Sequence, residues 1–280
     1  MLDDAARIER ARRFAATAAA IGCALVLAVI VASAYLRLSQ IGPGWSGLAG
    51  AARVVHRLAA SAEAVLVVMI AAVCWGARRL WTGGALTAVA IAVLTVFLAV
   101  LGIVTVERQP PAVTLGNLLG GMALLGTLWS LRLQARSTAP PAYSTAAFWM
   151  WGGVLLLALQ ITLGGLVSAH HAAASCATFP ACEGEWWPAD PSSALHMAHR
   201  FGAAALLLYW AVLALVLRVR ERAAATAAAA VAAMLLGQAV LGVIIVASGA
   251  AAAAAVAHNA WAALTVLAAV SAASRTGNSK

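Results

Sequence analysis

The sequence predicts an all-α membrane protein with eight transmembrane helices arranged as two pseudo-symmetric four-helix bundles. Three observations carry this. First, 64% of the 280 residues are hydrophobic, 10% are charged and the mean hydropathy is +0.94, values no water-soluble domain needs. Second, apolar runs of about twenty residues recur along the chain, the length of helix that crosses a bilayer. Third, short motifs return at a nearly constant offset in the second half of the chain.

Eight spans are predicted, at roughly 15–37, 53–77, 85–107, 111–134, 146–168, 195–217, 225–247 and 251–273. Residues 1–14 precede the first as a basic terminus carrying Arg7, Arg10, Arg12 and Arg13. Asp3, Asp4 and Glu9 interrupt it, so no signal peptide is expected. Arg78 and Arg79 follow the second span; Arg132 and Arg136 flank the end of the fourth. Arg218, Arg220 and Arg222 follow the sixth, and Arg275 and Lys280 close the tail, 274–280. The opposite loops hold few cations: Arg37, Arg53 and Arg108 at their edges and none between 169 and 195. The positive-inside rule therefore predicts a multi-pass protein of a bacterial-type cell (inner) membrane with both termini cytoplasmic. It also accounts for the net charge of +9 without nucleic acid as a partner; the lipid bilayer is the partner this charge distribution fits.

The repeat pairs Val55-His56-Arg57 in span two with Ala198-His199-Arg200 in span six, Leu101-Gly102 with Leu241-Gly242, and Gly116-Asn117 with His258-Asn259. Spans 1–4 and 5–8 thus read as parallel copies of one unit, 15–134 and 146–273, joined by a linker at 135–145 that contains Pro140-Pro141. The copies differ where chemistry is expected: the second has His199 and His258, the first only His56.

An ionisable residue inside an apolar span is a functional-site candidate. His199 and His258 lie near the starts of their spans, at similar depth in the outer part of the bilayer. Neutral imidazoles facing each other across a bundle are suited to ligate a b-type heme iron. Arg200 could pair with a propionate in a forked geometry, and His196, one turn back, could be a second donor or propionate partner. The plain alternative is two buried histidines hydrogen-bonded to neighbouring helices; equal depth within a repeated unit favours the ligand pair. Gln160 and Gln238, with Gly164, Gly165, Gly237 and Gly242, lie on spans five and seven. Glycines there admit a neighbouring helix or a flat macrocycle, and helix packing explains them equally well.

Cys23 and Cys74 fall within spans as small apolar residues. Cys176 and Cys182 share a loop predicted to face an oxidising compartment. They read either as a structural disulfide or as a redox-active dithiol that exchanges with a thioredoxin-like partner. Trp186-Trp187 beside them fits an interfacial anchor or a lid. In the first half, the loop Gln40-Ile41-Gly42-Pro43-Gly44-Trp45 has no cysteine. Glu63 follows His56 on the same face of span two, a candidate acid for a catalytic pocket or a structural carboxyl bonded to a neighbour. Arg53, one turn before His56, also faces that pocket.

Together these residues resemble the heme A synthase family over roughly 15–273. The resemblance is carried by Leu163-Gly164-Gly165-Leu166-Val167-Ser168, Cys176-Ala177-Thr178-Phe179-Pro180-Ala181-Cys182, Glu185-Trp186-Trp187-Pro188, His199-Arg200 and His258. In the first half it is carried by Tyr35-Leu36-Arg37-Leu38, Val55-His56-Arg57, Pro111-Ala112-Val113-Thr114 and Leu118-Leu119-Gly120-Gly121-Met122. It implies a membrane oxidoreductase that converts heme O to heme A for terminal oxidases, the C8 methyl becoming a formyl group by successive hydroxylations. It also implies heme b held by His199 and His258, and substrate heme O in the first half with His56 as ligand and Arg57 beside it. A heme O synthase would supply the substrate; the electron donor and any homo-oligomeric state are left open. Three positions depart from the family pattern: its glutamate is Arg53, its span-four histidine is Asn117 or Gly116 by alternative alignments, and its first-loop cysteine pair is missing. The alternative is a non-catalytic heme b-binding protein of the same fold, serving electron transfer or oxidase assembly. A transporter built from parallel repeats would need polar residues through the midplane, which these spans nearly lack.

Overall fold

The structure, a computed structural model, describes residues 2–38, 48–104, 110–137, 144–219 and 221–275. The first loop Gln40–Trp45, Arg108, linker residues 138–143, Arg220 and Lys280 lie outside the described residues. Eight long helices follow in order: α1 (Leu2–Leu38), α2 (Ala49–Gly76), α3 (Thr82–Val104), α4 (Pro111–Arg136), α5 (Thr145–Ala169), α6 (Pro191–Leu217), α7 (Arg222–Ala247) and α8 (Ala252–Arg275). All eight are long and apolar enough to cross a membrane. Backbone polar groups find no water within a bilayer, so helices that satisfy them internally are the stable choice for this chain.

Local chemistry sets several ends. Ser144 caps α5, its hydroxyl accepting from the Ala147 amide at 3.0 Å. Asp190 caps α6 by accepting from the Ser193 amide and hydroxyl, both at 2.9 Å, with Pro191 at the first helical position. These hydrogen bonds hold the exposed Asp190 carboxyl below its ordinary range. The sign follows: this cap contributes above the usual carboxylate pKa and is lost as pH falls through the lowered value. One boundary differs from the expected organisation. The basic terminus 1–14 is not a separate cap on span one; from Leu2 onward it is the first turns of α1. Helix-favouring residues extend the rod out of the apolar region, and Arg13 pairs with Glu9 one turn back at 2.7 Å.

The helices contact one another in two closed cycles, α1–α2–α3–α4 and α5–α6–α7–α8, joined where α4 meets α5 and α8 and where α1 meets α8. At this seam Gly126 brings α4 close to Val266 and Val270 of α8, and the Trp129 indole donates to the Ser271 hydroxyl at 2.6 Å. Arginines tie one end together: Arg7 donates to the Gly76 carbonyl, Arg12 to that of Ser137 and Arg132 to that of Ala16.

The main core occupies this arginine-rich end and the middle of both cycles. In α6 it begins at Leu206, beyond His199; in α8 at Ala263, beyond His258; in α2 at Leu66, beyond His56. α5 and α7 leave it at Leu157 and Leu235, each just before a glutamine. Within the core, Trp210 of α6 is fully buried against Gly153 of α5, where a Cβ would stand 2.5 Å from the indole Cζ2. Gly153→Ala is therefore expected to destabilise the detergent-solubilised protein by about 1–3 kcal/mol through overpacking. A lower thermal unfolding midpoint with unchanged helix content checks this.

Candidate functional site

His56, His199 and His258 all lie at the end opposite the arginine-rich one, before the main core begins on their helices. His199 and His258 are both partly buried, near the outer ends of α6 and α8. Each is backed by a glutamine and a glycine on the preceding helix. Gln160 of α5 donates from Nε2 to the His199 carbonyl at 2.9 Å and lies 2.9 Å from His199 Nδ1. Gln238 of α7 donates to the His258 carbonyl at 3.1 Å. Beyond them, a Cβ on Gly164 would come within 2.9 Å of His199 Cε1, and one on Gly242 within 3.7 Å of His258 Cε1. Only Gly164 is required to admit its ring, since a Cβ on Gly242 would make ordinary contact with His258; the glutamines flank both histidines.

Buried polar atoms without a partner gather here: His196 Nδ1, His258 Nδ1, Gln160 Oε1 and Gln238 Oε1. Native interiors rarely leave such atoms unsatisfied unless they serve a ligand or a function. Partly buried imidazoles on α6 and α8, a glycine cleared for the His199 ring, buried polar atoms without partners and a main core that starts beyond them fit a flat, largely apolar, iron-bearing macrocycle. His199 and His258 are the residues that would hold its iron. Gly164→Ala tests the cradle: the added methyl should displace the His199 ring and lower heme retention with little effect on helix content.

Arg200, expected beside a propionate, is engaged with the disulfide loop. Its guanidinium donates to the carbonyls of Cys176 at 3.2 Å, Thr178 at 2.8 Å, Pro180 at 3.1 Å and Ala181 at 3.4 Å. Five N–H donors in a fixed fork suit this clamp over a curled loop. His196, buried and with Nδ1 free, keeps hydrogen-bonding capacity for a polar ligand group. Cys176 and Cys182 form a disulfide that closes the clamped loop. The chain then reverses through Glu183 and Gly184, both at positive φ, a turn that glycine at the second position eases. Trp187 stacks on Phe201 of α6 with ring centroids 6.2 Å apart, so the loop lies over the outer end of α6. An Arg200→Lys chain offers only three mobile donors. It is expected to fold but to show faster proteolysis within 176–182 under reducing conditions.

The first cycle is unlike the second. His56 is half-buried, while Arg53 and Arg57 are exposed on the same helix. The α4 face aligned with His258 carries glycines instead. Leu101 and Phe97 of α3 lie against Gly116, and Leu98 and Phe97 against Gly120, while Asn117 is half-buried beside them. Glu63 is 4% exposed, its two oxygens without partners; they face Gly22 of α1, whose Cβ would meet both at 3.2 Å. The carboxyl thus sits about 10 Å of helix rise away from His56 along α2, at the edge of the packed core. Arg37 Nε, near the end of α1, is also buried without a partner.

The structure therefore sets His196 and His199 one turn apart on α6, places His258 near the outer end of α8 and Arg200 against the disulfide loop, and separates Glu63 from His56 along α2. Sequence reasoning had no signal for the Arg200 clamp, because its acceptors are loop carbonyls that any residue could supply. For the two glutamines the signal was the shared spacing from Gln160 to Gly164 and from Gln238 to Gly242.

Fold and site define a class: a membrane protein with, among the described residues, eight helices long and apolar enough to cross a bilayer, and histidines near the outer ends of α6 and α8. A family model described as cytochrome oxidase assembly protein, COX15-CtaA, matches residues 49–270, most of the chain. The chain belongs to that family, whose role is heme A synthase-like. Among curated proteins, none matches the chain at a significant level.

Proposed function

We propose that the chain is a heme A synthase-type oxidoreductase of a bacterial inner membrane, with both termini cytoplasmic. In this reading residues 146–273 hold heme b between His199 and His258. Residues 15–134 would receive heme O as substrate, with His56 the residue that would hold its iron, and heme A would be the product. The observation that carries the reading is that the main core begins beyond His56, His199 and His258 on α2, α6 and α8, in a chain of a heme-related family. The bound heme would supply redox chemistry; the chain's own groups orient it, ligate it and limit water. His199 and His258 supply the ligands, Gly164 and Gly242 the approach, and the Arg200-clamped loop a cover at the outer end.

One observation favours a second reading, a non-catalytic heme b protein of the same fold. Phe97, Leu98 and Leu101 occupy the α4 face where the first cycle would need its second histidine. Co-expression with a heme O synthase, in a host that makes no heme A, separates the two. Non-covalent hemes extracted from the purified protein are weighed by mass spectrometry. Heme A or its hydroxylated precursor beside heme B is the expected result. Heme B alone, about one per chain with heme O available, establishes the second reading.

A further inference from the structure

We infer that Arg37 is a binding residue of the first cycle, its guanidinium taking a propionate carboxylate of the heme whose iron His56 would hold. The inference rests on the heme O reading above and adds to it the contact that would orient that substrate.

Helix register places the two residues. α1 and α2 run antiparallel, and Gly22 of α1 lies against the Glu63 carboxyl of α2. Seven residues back along α2, His56 is therefore level with Val29 of α1, and Arg37 lies about 12 Å of helix rise further out. The Arg7 contact with the Gly76 carbonyl keeps this register at the other end of the pair. Helical Cα–Cβ bonds tilt toward the helix N-terminus, which on α1 leans the Arg37 side chain back toward the level of His56. The face is fixed by α4. Ile30 of α1 lies against Gly121, and the Cys23 thiol points to the Leu125 carbonyl at 3.9 Å. Arg37 follows Ile30 by two helical turns, so it projects on the same inward face, level with the buried Thr114 of α4.

Charge then names the missing partner. Arg37 is partly buried and its Nε fully so, with no hydrogen-bond acceptor among the described residues. A guanidinium taken out of water and left unpaired is costly, and an ionisable group within a span points to a functional partner. Among the described residues, the first cycle offers no carboxylate at this end: Asp4 and Glu9 stand at the arginine-rich end of α1, and Glu63 faces Gly22. An arginine that only snorkels to the interface keeps its head in water, and a buried Nε is the opposite. Arg53 and Arg57 are exposed on α2, whereas Arg37 shares the inward face. A heme carries its two carboxylates at one edge of an apolar ring, and a guanidinium matches a carboxylate with two parallel N–H···O bonds. With iron at His56 and that edge turned outward, the carboxylates fall between the level of His56 and that of Arg37.

The test uses the full-length protein with its heme b in place, titrated with ferric heme O and with heme O dimethyl ester, in which both carboxylates are capped. The readout is the ratio of the two dissociation constants, taken from the absorbance change on binding beyond the first heme. Wild type should prefer the free acid. Arg37→Met and Arg37→Gln should each reduce that preference about 10–100-fold, the range of a hydrogen-bonded charged pair, by weakening heme O and leaving the ester unchanged. Because the cation has no partner before heme O arrives, both variants should melt no lower than wild type when free of heme O. A preference that persists in either variant overturns the inference and leaves Arg37 to packing or to a lipid headgroup. Variants that melt lower mark an arginine that holds the fold, and overturn it as well. A wild type that binds a second heme with no preference for the acid sinks this inference alone. One that takes up no heme O beyond its first heme sinks the first-cycle reading, and the inference falls with it.

Discussion

A His258→Ala chain is expected to purify as a folded eight-helix protein whose reduced spectrum has lost the b-type bands. A Cβ built on Gly242 would still make only ordinary contact with the His258 ring, so the ring is not wedged between helices and its removal leaves them unstrained. The main core in α8 begins at Ala263, so the seam with α4 is untouched. Changes to residues that merely support metal ligands cost about 10–100-fold in affinity. Loss of a ligand should exceed that and leave heme b well below one per chain. His199→Ala should do the same, and His258→Met should restore a six-coordinate heme at a higher potential, as thioether ligation does. A spectrum unchanged in His258→Ala would remove His258 from the ligand set.

The second large effect is expected from His56→Ala. In the proposed enzyme this chain keeps the heme b of residues 146–273 and loses conversion of heme O altogether, because His56 is the sole histidine of the first cycle. Heme extraction after co-expression should then return heme B, with no heme A and no hydroxylated precursor. The non-catalytic reading gives a different pattern: His56→Ala and wild type are indistinguishable. Glu63→Gln sharpens the comparison. Its carboxyl faces Gly22 rather than His56, so conversion should fall less than in His56→Ala, and an equal loss would assign Glu63 to the reaction.

The eight helices could be read from the chain because a bilayer imposes a length, and runs of that length stand out wherever charges are few. The sequence placed Cys176 and Cys182 in one loop, as a structural staple or an exchanging dithiol, and the structure shows them bonded to each other. The continuation of α1 back to Leu2 was hidden because residues outside the apolar run carry no span signal, although Glu9 and Arg13 have helical spacing. Arg200 shows the opposite limit. Its neighbour His199 suggested a ligand partner, whereas its four acceptors lie 19 to 24 residues away in a loop whose path depends on the disulfide.

By itself, the sequence determined the class, the span count, the repeat and the unequal distribution of histidines, because hydropathy and motif offset are properties of the chain in one dimension. Tertiary structure decided where the core ends. Alanine, leucine and valine recur along the full length of α6 to α8, so composition cannot distinguish a packed end from an open one. That difference arises from which side chains meet across helices: Trp210 fills Gly153 at one end, while at the other Gly164 and Gly242 face imidazole rings flanked by half-satisfied amides. Packing is a property of pairs, and the pairs exist only once the helices are side by side.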